Sequence, residues 1–522
     1  MSGPILVALD SGTSVVKGLA FDAAGNVVAH ASRPNLIASD SDGTAEQDMA
    51  RTWEDACAVL GELAGRLDGQ EVAALAITGQ GDGTWLVDED GAPVGPAMLW
   101  LDARAAPLVE ALRQGGAARA AFAFTGSGLA ACQQPAQLLW LERNRPEMLE
   151  RAATAFHCKD WLYLKLTGMR ATDPSEASFS FGDYRTRTYR EPVLEALGLR
   201  HLRRLLPPIV DGARQWHGLS VAAAARTGFA PGLPVVLGYV DVACAALGAG
   251  AYGRGMEAGV SILGTTGLHL RLVPAPERVV PNPGMTGYCI PFPVPGHTLQ
   301  MQTHMVATPN LDWLAGLVQD AARLAGAGTV REGGDILRAL DEAAAAARPG
   351  AVLFHPFTSS SGERGPFIDP FARAGLFGID QGVRMPEVAR GVYEGLGLAA
   401  RDCYVAMGGL PTGVRITGGA ARSKSMRVIL AACLNCPVRA AAHEEAAAAG
   451  AAMMAAVSVG LYPDMAACTA RWIAPVKGEV EWPDPALARA YEALFPVYRD
   501  GYAALPGVWR RMQAARETIN GA

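Results

Sequence analysis

Asp241 lies in the stretch "VVLGYVDVACAALG" at 235–248, where an apolar strand pattern gives way to small residues. Its neighbours Val240, Val242 and Ala243 supply no cation, so removing this carboxylate from water needs a compensating reason. A general base that meets a substrate hydroxyl would be one. A helix N-cap, common for Asp where a strand hands over to a helix, would be another. A second kind of chemistry sits in two Gly-Thr turns, "DSGTS" at 10–14 and "GTTG" at 264–267. Around Gly12 and Gly264 such turns offer backbone N–H groups and the hydroxyls of Thr13, Ser14, Thr265 and Thr266 to a polyphosphate, although either turn alone reads more readily as a plain hairpin. Asp10 beside the first turn would repel a phosphate unless a cation such as Mg²⁺ lay between them.

Two more groups of residues point to a ligand. Gln80, Asp82, Trp85, Asp102 and Arg104 punctuate apolar strands in "TGQGDGTWLVDEDGAPVGPAMLWLDAR" at 78–104. Amides and carboxylates pair with hydroxyls while an aromatic face covers a carbon skeleton, which suits a hydroxyl-rich ligand; Asp82 between two glycines equally reads as a turn residue. In "VRITGGAARSKSMRVILAACLNCPV" at 414–438 a strand, a glycine turn and a helix follow one another. That order admits a flat ring or a phosphate close to the backbone, and it is also an ordinary strand-to-helix connection.

The elements that must position these residues alternate. "ILVALD", "VVKGLAFD" and "AAGNVVAHAS" read as a hairpin-rich sheet opening with Gly12 in the first turn. Trp53, Ala56, Val59, Leu60, Leu63 and Leu67 recur at helical spacing over 48–67, and "VAALAI" at 72–77 reads as the next strand. Residues 256–272 repeat the strand, Gly-Thr turn, strand order of the N-terminus, which predicts two related domains, 1–247 and 248–522, with a hinge in the glycine-rich stretch near 245–256. Residues 274–297 read as loop or edge structure, and long Ala-rich helices are expected over 331–349 and 386–408. The whole predicts an α/β protein.

Composition removes several function classes. With 18% charged residues and a net charge of −6 there is no electrostatic reason to bind nucleic acid, and "LRHLRRLL" at 199–206 reads as a solvated helix face. The N-terminus lacks the basic and apolar regions of a signal peptide, and the uncharged run at 446–461 is shorter than the roughly 20 residues of a membrane span, so a cytoplasmic protein is expected. Nine scattered cysteines fit reduced thiols, with Cys433 and Cys436 read as buried structural residues. No G-x-x-x-x-G-K-S/T motif occurs, and the G-x-G-x-x-G match at 248–253 follows a helical segment where a dinucleotide site requires a strand.

Taken in order, the motifs resemble the FGGY family of carbohydrate kinases, within the sugar kinase, Hsp70 and actin superfamily. They are "DSGTS", "TGQGDG" with "WLDAR", "KDWLYLKLTG", "TDPSEAS", "GYVDVACAALG", "GTTG", "GERGPFIDPFARAGLFG", "GVYEGLGLAARD" and "TGGAARSKSMRVILAACLNCPV", from about residue 5 to about 470. The resemblance implies two actin-like, ribonuclease-H-like domains, each a mixed β-sheet flanked by helices, closing over a cleft. It implies transfer of the ATP γ-phosphate to a hydroxyl with Mg²⁺, held at Asp10 through water. Asp241 matches the catalytic base. Asp10, Gly12, Thr13 and Ser14 fall in the first phosphate loop, and Gly264, Thr265 and Thr266 in the second. Asn310, Gly418, Gly419 and Ser423 fall with the nucleotide, and Gln80, Asp82 and Asp102 in the sugar-contacting region. Where xylulose kinases of the family carry Met-His and glycerol kinases Arg-Glu, this chain has Gly81-Asp82. "TDPSEASFSFGDYRTRTY" and "LPPIVDG" look most like the erythritol and L-xylulose kinase branch, so the expected substrate is a four- or five-carbon polyol or ketose, erythritol first, then a pentulose such as xylulose, with glycerol as the alternative. An actin-like or chaperone-type ATPase without a sugar substrate is the reading from another class. The expected partners are the sugar or polyol and ATP, without nucleic acid or membrane, and a second copy of the chain in a homodimer.

Overall fold

A computed structural model describes residues 3–253, 258–326, 333–475 and 478–520. The opening strand Ile5–Ser11 explains the architecture around it. Side chains alternate across a strand. Ile5, Val7 and Leu9 enter one apolar core with Trp53, Ala56, Val59, Leu60 and Leu63 of helix Met49–Arg66. Leu6 and Ala8 enter another core, with helices Asp241–Ala249 and Ala446–Ser458. Burial on both faces is why the strand reads as a continuous apolar run. Asp48 caps the first of these helices by accepting from Arg51 N–H, as its place before the helical pattern leads one to expect.

The sheet built on this strand runs His217–Gly218, Pro234–Leu237, Val72–Gly79, Ile5–Ser11, Val15–Phe21, Val27–Pro34. Its last three strands form an antiparallel meander, and Val72–Gly79 and Pro234–Leu237 join in parallel. A second sheet repeats the pattern with the meander Gly259–Leu263, Gly267–Pro274, His297–His304 and the parallel strands Val414–Thr417 and Val438–Ala440. Edge strands Tyr288–Pro291 and Val480–Glu481 complete it. The similarity of the two Gly-Thr hairpins in the sequence thus extends to the strand order of two mixed sheets. Helices Met385–Ala406 and Lys424–Leu434 cover the outer face of the second sheet.

The inner faces of both sheets share one layer, the crossing helices Asp241–Ala249 and Ala446–Ser458. They cross at glycines: a Cβ on Gly248 would stand 2.0 Å from the Ala446 carbonyl oxygen, and one on Gly450 would stand 1.9 Å from that of Cys244. The expected hinge near 245–256 includes this crossing. Residues up to Ala249 are helical, Gly248 serves a close helix contact, and 254–257 lie outside the described residues. Between residues 80 and 216 the chain leaves the first sheet for a mainly helical excursion with its own core, including Leu86, Val109, Leu138, Phe181 and Leu205, and this forms one wall of the cleft.

Candidate active site

A cavity of about 300 Å³ opens between the two sheets. Thr13, Gln80, Asp82, Trp100 and Asp241 line it from the first half, and Thr266, Tyr288, Thr303 and Arg364 from the second. Asp241 is the first residue of its helix, and the N-cap position belongs to Val240, which makes no side-chain cap. Asp241 lines the cavity, partly buried. Burial and the nearby Asp10 carboxylate push its pKa up to about 8, the Val242 N–H working against them. Asp10 is the penultimate residue of the opening strand, across from Lys17, with which it pairs in register. Burial raises the Asp10 pKa to about 6, Lys17 opposing and Glu445 adding to the rise. The Lys17 ammonium is shared with Glu445 of the second half at 2.7 Å, so Asp10 Oδ1 is left without a hydrogen-bond donor. Asp241 at the cavity and Asp10 near it, with an oxygen that has no donor, form a hard-oxygen donor set suited to Mg²⁺.

Gln80 and Asp82 form the polar end of the cavity. Gln80 donates through Nε2 to Gln47 Oε1 at 2.9 Å, and its own Oε1 has no donor. Asp82 occupies the left-handed region at φ 55° between Gly81 and Gly83, so the turn reading is correct for its backbone. Its side chain has a further use. Oδ2 accepts from the Tyr288 hydroxyl at 2.9 Å and faces the Cys132 thiol at 3.6 Å, while Oδ1 has no donor. Gly81 is required by space, because a Cβ there would lie 2.4 Å from Val240 Cγ2. Asp102 does not reach the cavity. Its carboxylate is buried against the Arg104 guanidinium at 2.6 Å and accepts from Ala45 N–H, while Arg104 also reaches Glu46. Its neighbour Trp100 lines the cavity instead and donates from Nε1 to Thr13 Oγ1 at 2.7 Å.

On the other side of the cleft the second Gly-Thr turn is fixed by Thr308, whose N–H and hydroxyl both donate to the Gly264 carbonyl, and by Ala307 N–H donating to Thr265 O. Gly418 approaches this turn so closely, with φ 86°, that a Cβ would lie 2.6 Å from Leu263 O. Gly418 and Gly419 are exposed at the rim, and Thr265 is exposed with them. Ser14 is likewise exposed, and Gly12 closes the first turn by donating to Val15 O. Ser423 caps helix Lys424–Leu434 through Met426 N–H and bonds to Asp341. Asn310 is turned inward, its amide donating to carbonyls of Val306 and Ala307 and its oxygen accepting from Thr358, so the expectation that it contacts the nucleotide is corrected to a structural role.

Tyr288, Cys132 and Arg364 escaped the sequence reading because their partners lie far away in the chain; Tyr288 is 206 positions from Asp82. A buried ionic cluster behind the cavity, Lys159, Asp160, Asp173 and Glu176, was visible only as unexplained letters in "KDWLY" and "TDPSEAS". Among the described residues no helix is long and apolar enough to cross a membrane.

Comparison with known proteins accounts for this arrangement. The chain is 50% identical over 517 residues to erythritol kinase of Brucella abortus, covering 98% of this chain and 99% of that one. It is 30% identical over 433 residues to xylulose kinase of Escherichia coli, covering 81% and 84% of the two chains. The crystal structure of xylulose kinase from Rhodospirillum rubrum superposes with a TM-score of 0.85 at 27% identity, covering 97% of this chain and all of the other. The two sheets are thus of the actin-like type expected from the motifs. The N-terminal domain of the FGGY family of carbohydrate kinases matches residues 5–248 and its C-terminal domain residues 259–459, and the chain belongs to that family.

Proposed function

We propose that this chain transfers the γ-phosphate of ATP to a hydroxyl of a small neutral polyol, erythritol first. The observation that carries this reading is a set of oxygen acceptors without donors beside Asp241: Gln80 Oε1 and Asp82 Oδ1. Buried acceptors lacking a donor call for a ligand rich in hydroxyls. The near full-length likeness to an erythritol kinase supports a tetritol over a pentulose such as xylulose or over glycerol.

In this reading Asp82, held by Tyr288, and Gln80 orient the polyol so that one hydroxyl donates to the Asp241 carboxylate. As the hydroxyl oxygen bonds to the γ-phosphorus and the bond from that phosphorus to the bridging oxygen of ADP breaks, the hydroxyl proton passes to Asp241. Thr13 and Ser14 on one side and Thr265 and Thr266 on the other supply hydroxyls and N–H groups to the phosphates, and Gly12 and Gly264 shape the two turns by donating to Val15 O and Thr266 O. Gly418 and Gly419 leave room for the nucleoside, with Ser423 beyond them at the head of its helix. When bound at Asp10, Mg²⁺ would neutralise charge on the phosphates and beside Asp241, which favours the ionised base. The substrate half is 1–247 and the nucleotide half 248–522. The nine free, buried cysteines fit a reducing cytoplasm.

A coupled ADP-release screen over tetritols, pentitols, pentuloses, hexuloses and glycerol tests this. Erythritol should give the highest kcat/KM. ATP turnover that no polyol or sugar raises above the basal rate would replace the kinase reading with an ATPase.

A further inference from the structure

The wall behind Asp241 contains an ionic chain that the phosphoryl transfer does not use. Lys159, at the start of helix Cys158–Thr167, is inaccessible to solvent and lies 2.6 Å from both Asp160 Oδ1 and Asp173 Oδ1. The Lys159 ammonium helps to hold the Asp160 pKa down at about 2 against its burial. Thr172 Oγ1 donates to the other Asp160 oxygen at 2.8 Å. Asp173 caps helix Pro174–Phe181 and accepts, through Oδ2, both the N–H of Ser175 at 2.7 Å and its hydroxyl. With its proton given to Asp173, the Ser175 oxygen offers a lone pair, and Val240 N–H donates to it at 3.0 Å. On the other side of the same turn, Thr78 Oγ1 donates to Tyr239 O at 2.8 Å. The peptide leading into Asp241 is thus held from two directions by fully buried groups.

Burying an ammonium with two carboxylates rarely contributes net stability compared with apolar packing. It does fix direction, since each partner has one place to be. A shift of about 1 Å in a reacting group costs on the order of 10²-fold in rate. We propose that Ser175, locked by Asp173 and Lys159, is a positioning residue that aims the Asp241 carboxylate at the substrate hydroxyl. This inference rests on Asp241 being the base, as proposed above.

A double-mutant cycle of Ser175→Ala with Asp241→Asn tests it, reading kcat, both KM values and Tm. Ser175→Ala should lower kcat by roughly 10–100-fold with both KM values within about 3-fold. In the Asp241→Asn background the same change should cost less than about 2-fold, because a device that aims the carboxylate has nothing left to aim. Equal fold losses in both backgrounds, or no loss in the wild type, would overturn the proposal and leave Ser175 as a partner for a buried N–H. If the alanine variant does not fold, Ser175→Cys decides: the thiol is somewhat larger than the hydroxyl but keeps the branching, and it is a weak acceptor, so kcat should still fall several-fold, and a folded cysteine variant with wild-type kcat overturns the proposal. Failure of the underlying reading looks different, because Asp241→Asn would then turn over normally by itself.

Discussion

Asp241→Asn should slow turnover and, above mildly acidic pH, raise stability. Burial and the Asp10 carboxylate, with Asp82 adding less, hold the Asp241 carboxyl at about 8 in the folded protein against 3.8 ordinarily. Below about pH 4 both folded and unfolded chains keep the proton and the group has no effect. Between about 4 and 8 the unfolded chain releases it and the folded chain does not, so stability falls as pH rises, levelling off above about 8. At about 1.4 kcal/mol per tenfold change in proton affinity, the displacement from 3.8 to about 8 corresponds to a ceiling of roughly 6 kcal/mol. The carboxylate is partly open to the cavity, and water and salt entering there reduce this to about 2–3 kcal/mol. Asparagine has no proton to release. Thermal melts of both proteins from pH 5 to 9, without ligands, should diverge with rising pH, the variant melting several degrees higher at pH 8. Coupled ADP release with saturating erythritol should show kcat reduced by roughly 10²–10⁴-fold. Parallel melting curves would refute the electrostatic argument, and near-normal turnover would refute the base.

Asp82→Ala should raise the KM for the polyol far more than the KM for ATP, and equal effects would remove Asp82 from the polyol end of the cavity. Lys159→Met leaves Asp160 and Asp173 buried without their cation and should destabilise the fold by about 3–5 kcal/mol in denaturant titration; a loss below about 1 kcal/mol would show that water reaches the pair. Small-angle scattering should give a smaller radius of gyration with erythritol and a non-hydrolysable ATP analogue than without. An unchanged radius at saturation would rule out closure of the two halves.

The order of motifs made the family, the two sheets and the cleft legible in the sequence, because each Gly-Thr turn and each apolar strand is a local pattern. Asp241 was legible for the same reason: a lone carboxylate in "GYVDVACAALG" conflicts with its surroundings. Asp102 misled because its local pattern matched the polar cluster while its cation stands only two residues on, in Arg104, and satisfies it away from the cavity. Asn310 misled in the opposite way, its amide being taken up by backbone carbonyls that nothing in the sequence places beside it. The Tyr288 contact to Asp82 and the Ser175 contact to Val240 join segments far apart in the chain, and residue spacing carries no trace of either.

The glycine crossing of the two shared helices has a consequence for any closure of the two halves. Backbones in direct contact at Gly248 and Gly450 interpose no side chains at the crossing point itself, which makes it the natural axis for a rotation of one half against the other. Asp241 lies seven residues from Gly248 on the same helix, about 10 Å away at 1.5 Å per residue. Turning the nucleotide half by about 10° around the crossing would therefore displace it by roughly 2 Å at the level of the carboxylate. That is the difference between an alcohol within bonding reach of a phosphorus atom and one out of range. If the halves close, the crossing would act as a fulcrum with a short arm, so that a modest swing of one half would make or break the reacting geometry. ATP bound to an empty, open protein would thereby be kept away from the base that could otherwise direct water at it.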